Sequence, residues 1–103
     1  MTDQQAERDR EALYKALDDL ADLLARHDAA FWSRRAAEWS HLIKARDARG
    51  VTDTRSSFGG MGSLTDVLIG GRESPAQLRL ETLRNEVYEL TNRLARYIAA
   101  RNV

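Results

Sequence analysis

The sequence predicts an all-α protein: three long antiparallel helices, with a glycine-rich segment and a short helix between the second and third. Three observations carry this. Neither glycine nor proline occurs before Gly50, so the first half of the chain is free to be helical. Three apolar stripes recur at helical spacing. Five of the six glycines fall between Gly59 and Gly71, which confines the irregular chain to one place.

The first stripe is Leu13, Leu17, Leu20 and Leu24, widened by Ala16 and Leu23. It places a helix at roughly 3–26, capped by Thr2 or Asp3. The second stripe is Trp32, Ala36, Trp39 and Ile43, flanked by Phe31 and Leu42. Heptad steps carried on from the first stripe land on His27, Phe31, Arg34 and Glu38, so one continuous helix would turn its apolar face away from the core. A break near His27-Asp28, with Asp28 capping the next helix, restores the register; an unbroken helix is the alternative. The second helix is expected to run to Arg49 and stop at Gly50. A Ser63-Leu-Thr-Asp66 capping box should open a helix of one to two turns ending at Gly70-Gly71. The last helix is the clearest, with Ser74 as cap, Pro75 in the first position, and the stripe Ala76, Leu80, Leu83, Val87, Leu90, Leu94 and Tyr97 or Ile98. At about 1.5 Å per residue the three long helices would span some 30–40 Å each.

At 103 residues the chain is read as a single helical domain, 1–103, with a modest core. Sixteen basic residues balance sixteen acidic ones, and the two signs alternate along the chain. Such a balance supplies no field for nucleic acid or anionic lipid, so neither nucleic acid nor membrane is an expected partner. The absence of cysteine excludes disulfides, thiolate catalysis and cysteine-ligated zinc. No window is apolar enough for a membrane span, and Met1–Gln5 does not open a secretory signal, so the cytoplasm is the expected location.

Candidate chemistry is sparse. Glu38-x-x-His41 has the one-turn spacing of carboxylate-bridged metal bundles, but those use it twice; a surface pair beside Trp39 is the plainer reading, and no metal or cofactor is expected. Ser33, Ser40 and Ser63 lack a nucleophile elbow, since Gly60-Met61-Gly62-Ser63 is in the wrong register. The chain is therefore not expected to be an enzyme. Trp32 and Trp39, seven apart, are expected in the core. The 3.5-residue repeat of the last helix, over a thin core, points to a homodimer held at Leu83, Val87, Leu90 and Leu94.

Phe58-Gly-Gly-Met-Gly-Ser-Leu-Thr-Asp66-Val-Leu-Ile69 resembles the signature of a family of small bacterial proteins catalogued as a domain of unknown function. Its pattern is an aromatic, Gly-Gly-Met-Gly-Ser, a hydrophobe, a polar residue, Asp and three hydrophobes, following a Trp-containing helix as Trp39 does here. The resemblance covers roughly 28–71. It implies no activity, only that the turn is the family's hallmark and that Phe58, Gly60, Met61, Gly62, Ser63 and Asp66 carry it. These six are the candidate partner-binding residues. The expected function is a non-enzymatic protein-interaction module, like immunity proteins, antitoxins and small adaptors. The alternative is a small regulatory domain that binds an anion at the Ser63 helix start.

Overall fold

The computed structural model describes residues 1–59 and 63–101. About 80% of what is described is helical, with no strand among the described residues. The elements are α1 (Asp3–Arg26), α2 (Ala30–Lys44), α3 (Ala48–Ser56), one 3-10 turn (Leu64–Asp66) and α4 (Pro75–Arg101).

Helix α1 opens as its sequence dictates. The Thr2 hydroxyl accepts from the Gln5 amide at 3.1 Å, and the Gln5 side chain accepts from the Thr2 amide at 2.9 Å, a closed capping box. Its apolar face is wide: Leu13, Leu17, Leu20 and Leu24 are fully buried, with Ala16, Ala21 and Leu23 beside them. One helix alone cannot cover such a face, and α1 is flanked on one side by α2 and on the other by α4. Both neighbours run antiparallel to it. Along α2, Ser33 donates to the Ala21 carbonyl at 2.8 Å, Ser40 to Asp18 at 2.6 Å, and Arg46 reaches Glu7. Along α4, Arg101 pairs with Asp3, Arg93 with Asp9 and Arg79 with Asp19. Helix α3 packs on both α2 and α4, and the body is elongated, 44 × 24 × 21 Å.

The break after α1 falls where the lost seam required it, but by another device. Asp28 does not cap α2. It sits at φ 61°, in the left-handed region, while the Ala29 amide returns to the Leu24 carbonyl at 2.9 Å and the Asp28 amide to Ala25 at 3.4 Å. This is a Schellman termination with aspartate where glycine is usual. Helix α2 consequently starts at Ala30, with Ala29 in the cap position and no side-chain cap.

The same device overturns the expected end of the second helix. Helix α2 stops at Lys44, not Arg49, because Arg46 takes φ 61° and the Asp47 amide bonds the Leu42 carbonyl at 2.9 Å. A separate helix, α3, then starts from Asp47. Its carboxylate accepts from the Arg49 amide at 2.9 Å and from the Arg49 guanidinium, which together pull its pKa down to about 2. Gly50 therefore ends nothing. It lies inside α3 and is buried against α2, where an added Cβ would stand 2.9 Å from the Leu42 Cβ and 3.1 Å from the Ile43 backbone nitrogen. The short approach between α2 and α3 needs a residue without a side chain.

Trp39 is buried and Trp32 half-buried beside it, ring centroids 6.4 Å apart, as the stripe predicted. Helix α4 begins as expected: the Ser74 hydroxyl accepts from the Gln77 amide at 3.1 Å, ahead of Pro75. Its seam is not free for a second copy, however. Leu83, Val87, Leu90 and Leu94 are all buried in the core of one chain. The 3.5-residue repeat packs within the chain, against α1.

Gly50→Ala should destabilise the protein by about 1–3 kcal/mol through overpacking, although alanine in an open helix interior would gain about 1 kcal/mol. The sign of the change in urea unfolding decides. Because the Asp47 pKa is depressed, its contribution to the α3 start is fully present above the ordinary carboxylate range, declines as pH falls below that range, and is gone once pH has passed through about 2. Carboxyl carbon shifts of Asp47 followed by nuclear magnetic resonance should place its midpoint there.

Candidate functional site

Between α3 and α4 the chain leaves helical geometry, and every buried backbone group it exposes needs a partner. The partners come largely from one helix. Arg84 Nη1 donates to the carbonyls of Leu64 at 3.0 Å, Thr65 at 3.1 Å and Val67 at 2.9 Å. Burial pushes the Arg84 guanidinium below its ordinary pKa, with Glu81 and Asp66 acting in the opposite sense; arginine stays charged at any working pH. Two turns earlier on α4, the buried Gln77 accepts from the Ile69 amide at 2.8 Å. Its Nε2 finds no partner, a cost of about 1–3 kcal/mol that the Ile69 bond offsets in part.

These contacts order the segment along α4. Phe58 lies against Tyr88, centroids 5.3 Å apart; the Leu64–Val67 carbonyls lie at Arg84; Ile69 lies at Gln77. The segment is thus a strap running down the first half of α4 towards its N-terminus. Leu64 and Ile69 are its buried apolar anchors. Gly70, at φ +65°, turns the chain into α4, and a Cβ there would meet the capping Ser74 Oγ at 2.8 Å. Gly70 ends an extended stretch, not the helix expected before it.

The six sequence-predicted site residues fare differently. Gly60, Met61 and Gly62 lie outside the described residues. Phe58 is half-buried, an anchor on Tyr88. Ser63 is buried, but it makes no capping hydrogen bond; its hydroxyl is 2.6 Å from that of Thr65. The expected capping box and its one- to two-turn helix are replaced by a single 3-10 turn, in which backbone carbonyls meet the amides, Asp66 bonding Ser63 at 3.0 Å and Val67 bonding Leu64 at 3.3 Å, while Arg84 takes the carbonyls. Asp66 is exposed on that turn. Sequence reasoning missed Arg84, Gln77 and Tyr88. Only Gln77 left a trace, as a polar residue in register with the apolar stripe of α4.

The strap presents one large apolar side chain outward, beside the exposed Thr65 and Asp66. Leu68 is 64% exposed between the buried Ile69 and the half-buried Val67. Tyr88, Asn85, Glu81 and Leu78 share one face of α4 by their spacing, and Phe58, Thr65, Arg84 and Tyr88 line a shallow groove with Glu81 and Asn85. Phe31, Leu68 and Leu78 all lie towards the same end of the bundle, where α1 ends and α4 begins. Together with Tyr88 they are four of the five exposed large hydrophobic residues among those described. Glu38 and His41 are both exposed on α2, and no group of three or more potential metal-ligating side chains occurs among the described residues. No helix among them is long and apolar enough to cross a membrane.

The fold and the surface define an all-α bundle in which α1 and α4 form a frame and the chain between them wraps the remaining sides. Residues 25–74, that wrapping half, match the model of a family described as Domain of unknown function (DUF6966). The matched span begins at the end of α1 and stops at the cap of α4, so it takes in α2, α3 and the whole strap, including the 28–71 stretch of the expected resemblance. No curated protein and no solved structure matches the chain.

Arg84→Ala should lower stability by about 1.5–3 kcal/mol, the range for hydrogen bonds made by a charged group. Ser63→Ala should cost well below the ~1 kcal/mol of a helix cap. Urea denaturation of both variants checks the contrast.

Proposed function

We propose that the chain is a non-enzymatic protein-interaction module of the bacterial cytoplasm, of the immunity-protein, antitoxin or adaptor kind. Its contact face is the strap together with the adjoining face of α4. The observation that carries this reading is the combination of a pinned backbone and exposed apolar side chains. Arg84 and Gln77 hold the strap, so Leu68 and Tyr88 are presented in place with little ordering cost on binding. Exposed apolar side chains gathered on one region of a small protein mark interaction surfaces.

The family's hallmark residues then divide their labour. Phe58 and Ser63 shape the strap from within and Asp66 stands at its surface. An anion at the Ser63 helix start is the less favoured alternative, because the amides it would need are committed: Leu64 to the Ser57 carbonyl at 3.1 Å, Asp66 to Ser63 at 3.0 Å and Val67 to Leu64 at 3.3 Å. A homodimer, if formed on this face, would use Leu68 and Tyr88 and not the internal α4 seam.

A photo-reactive phenylalanine analogue at Leu68 should give a discrete cross-linked adduct in the native cell, and the same group at the exposed Ala37 of α2 should not. Leu68→Asp should abolish the adduct's native counterpart while leaving the melting curve in place. Equal adducts from both sites, or none from Leu68, would refute the assignment.

A further inference from the structure

The charges of α4 are sorted by face. Its arginines turn to the chain itself: Arg79, Arg93 and Arg101 pair with Asp19, Asp9 and Asp3 of α1, and Arg84 is committed to the strap carbonyls. Its glutamates Glu81, Glu86 and Glu89 are all exposed, and none of them forms an ion pair among the described residues. Glu81 lies in the field of Arg84 without pairing with it. On α1 the opposite holds, since every acidic residue except Asp22 has a basic partner. Between Leu78 and Glu89 the unmatched charge on α4 is therefore negative, with Arg72 and Arg96 standing beyond the two ends of the stretch.

The same face carries exposed apolar side chains. Leu78 and Tyr88 are separated along α4 by about 15 Å at helical rise, and both are about half exposed. Leu68 stands beside them on the strap, at a level between Arg84 and Gln77, because its neighbours Val67 and Ile69 bond those two side chains. Thr82 and Asn85, neutral and exposed, fill the space between. An apolar strip edged by unmatched carboxylates repels an acidic partner and draws a basic one.

We propose that the docking element of the partner is a basic amphipathic helix, its apolar side chains seated on Leu68, Leu78 and Tyr88 and its lysine or arginine side chains reaching Glu81, Glu86 and Glu89. The proposal rests on the protein-interaction reading and adds the chemistry of the partner. A helix fits because the face is an outward ridge of α4, and helix ridges pack into the grooves of other helices. A second copy docked through this same face is disfavoured, since a two-fold contact would set glutamates against glutamates.

Fluorescence anisotropy of the full chain with a labelled leucine–lysine amphipathic peptide, and with its leucine–glutamate counterpart, tests it. The lysine peptide should bind saturably, the glutamate peptide at least tenfold more weakly, and added salt should narrow the difference. The combined variant Glu81→Gln, Glu86→Gln, Glu89→Gln should weaken the lysine peptide at least tenfold with its melting curve unchanged. Glu38→Gln, at an exposed carboxylate of α2, should change nothing. In the unaltered protein the lysine peptide should shift the amide resonances of Leu68, Leu78 and Tyr88. Equal binding of the two peptides, full binding by the combined variant, or shifts centred on α2 would overturn the proposal, as would a dimer mass in light scattering that Leu68→Ser returns to monomer. A Leu68 adduct in the cell that persists unchanged in the combined variant would overturn it and leave the protein-interaction reading standing; a missing Leu68 adduct would remove that reading and the proposal with it.

Discussion

A chain that departs from helical geometry inside a small bundle must find a partner for each amide and carbonyl it buries, since each unmet group costs about 1–3 kcal/mol. That constraint organises the half of this protein that is not α1 and α4. The strap after α3 has no neighbouring strand to pair with and little helix of its own. Its carbonyls at Leu64, Thr65 and Val67 are gathered on a single guanidinium nitrogen, that of Arg84, and its buried amide at Ile69 on Gln77. With those bonds in place, Leu64 and Ile69 can be buried and Leu68 can be held outside.

The frame on which the strap is laid depends on hydrophobic burial far more than on charge. The α1 leucines are covered from two sides, and each fully buried side chain of that kind contributes about 1.5–3 kcal/mol. The ion pairs from α1 to α4 are solvent-exposed and each contributes about 0–1 kcal/mol. Their regular spacing along the helices, Asp3 with Arg101, Asp9 with Arg93 and Asp19 with Arg79, is better understood as fixing antiparallel register.

Much of this was legible in the sequence, and the misreadings have physical causes. Helices α1 and α4 were plain because their signals are local: Thr2 with Gln5, Ser74 with Pro75, and unbroken apolar stripes. The break at His27-Asp28 was legible from the lost seam, but Asp28 was assigned a cap because aspartate prefers caps to left-handed backbone. Gly50 carries the sequence signature of a helix end, since glycine usually follows helices; only the tertiary fold shows that it is there to let α3 meet α2. The true end of α2 depends on Arg46 at positive φ, which composition does not announce. The α4 heptads promised a partner helix and found it in α1 of the same chain. At the candidate site, the sequence located the strap but not what holds it, because Arg84 lies 17 to 20 residues from the carbonyls it binds.

From Ser63 to Gly70 the strap is built structure, fixed by α4, rather than a loose connection between helices. Amide hydrogen exchange on the unaltered protein tests it most directly. The amides of Leu64, Val67 and Ile69, bonded to Ser57, Leu64 and Gln77 respectively, should exchange far more slowly than free peptide, the Ile69 amide approaching the rates of the α4 core. Exchange of all three at the unprotected rate, with α1 and α4 still protected, would contradict the account.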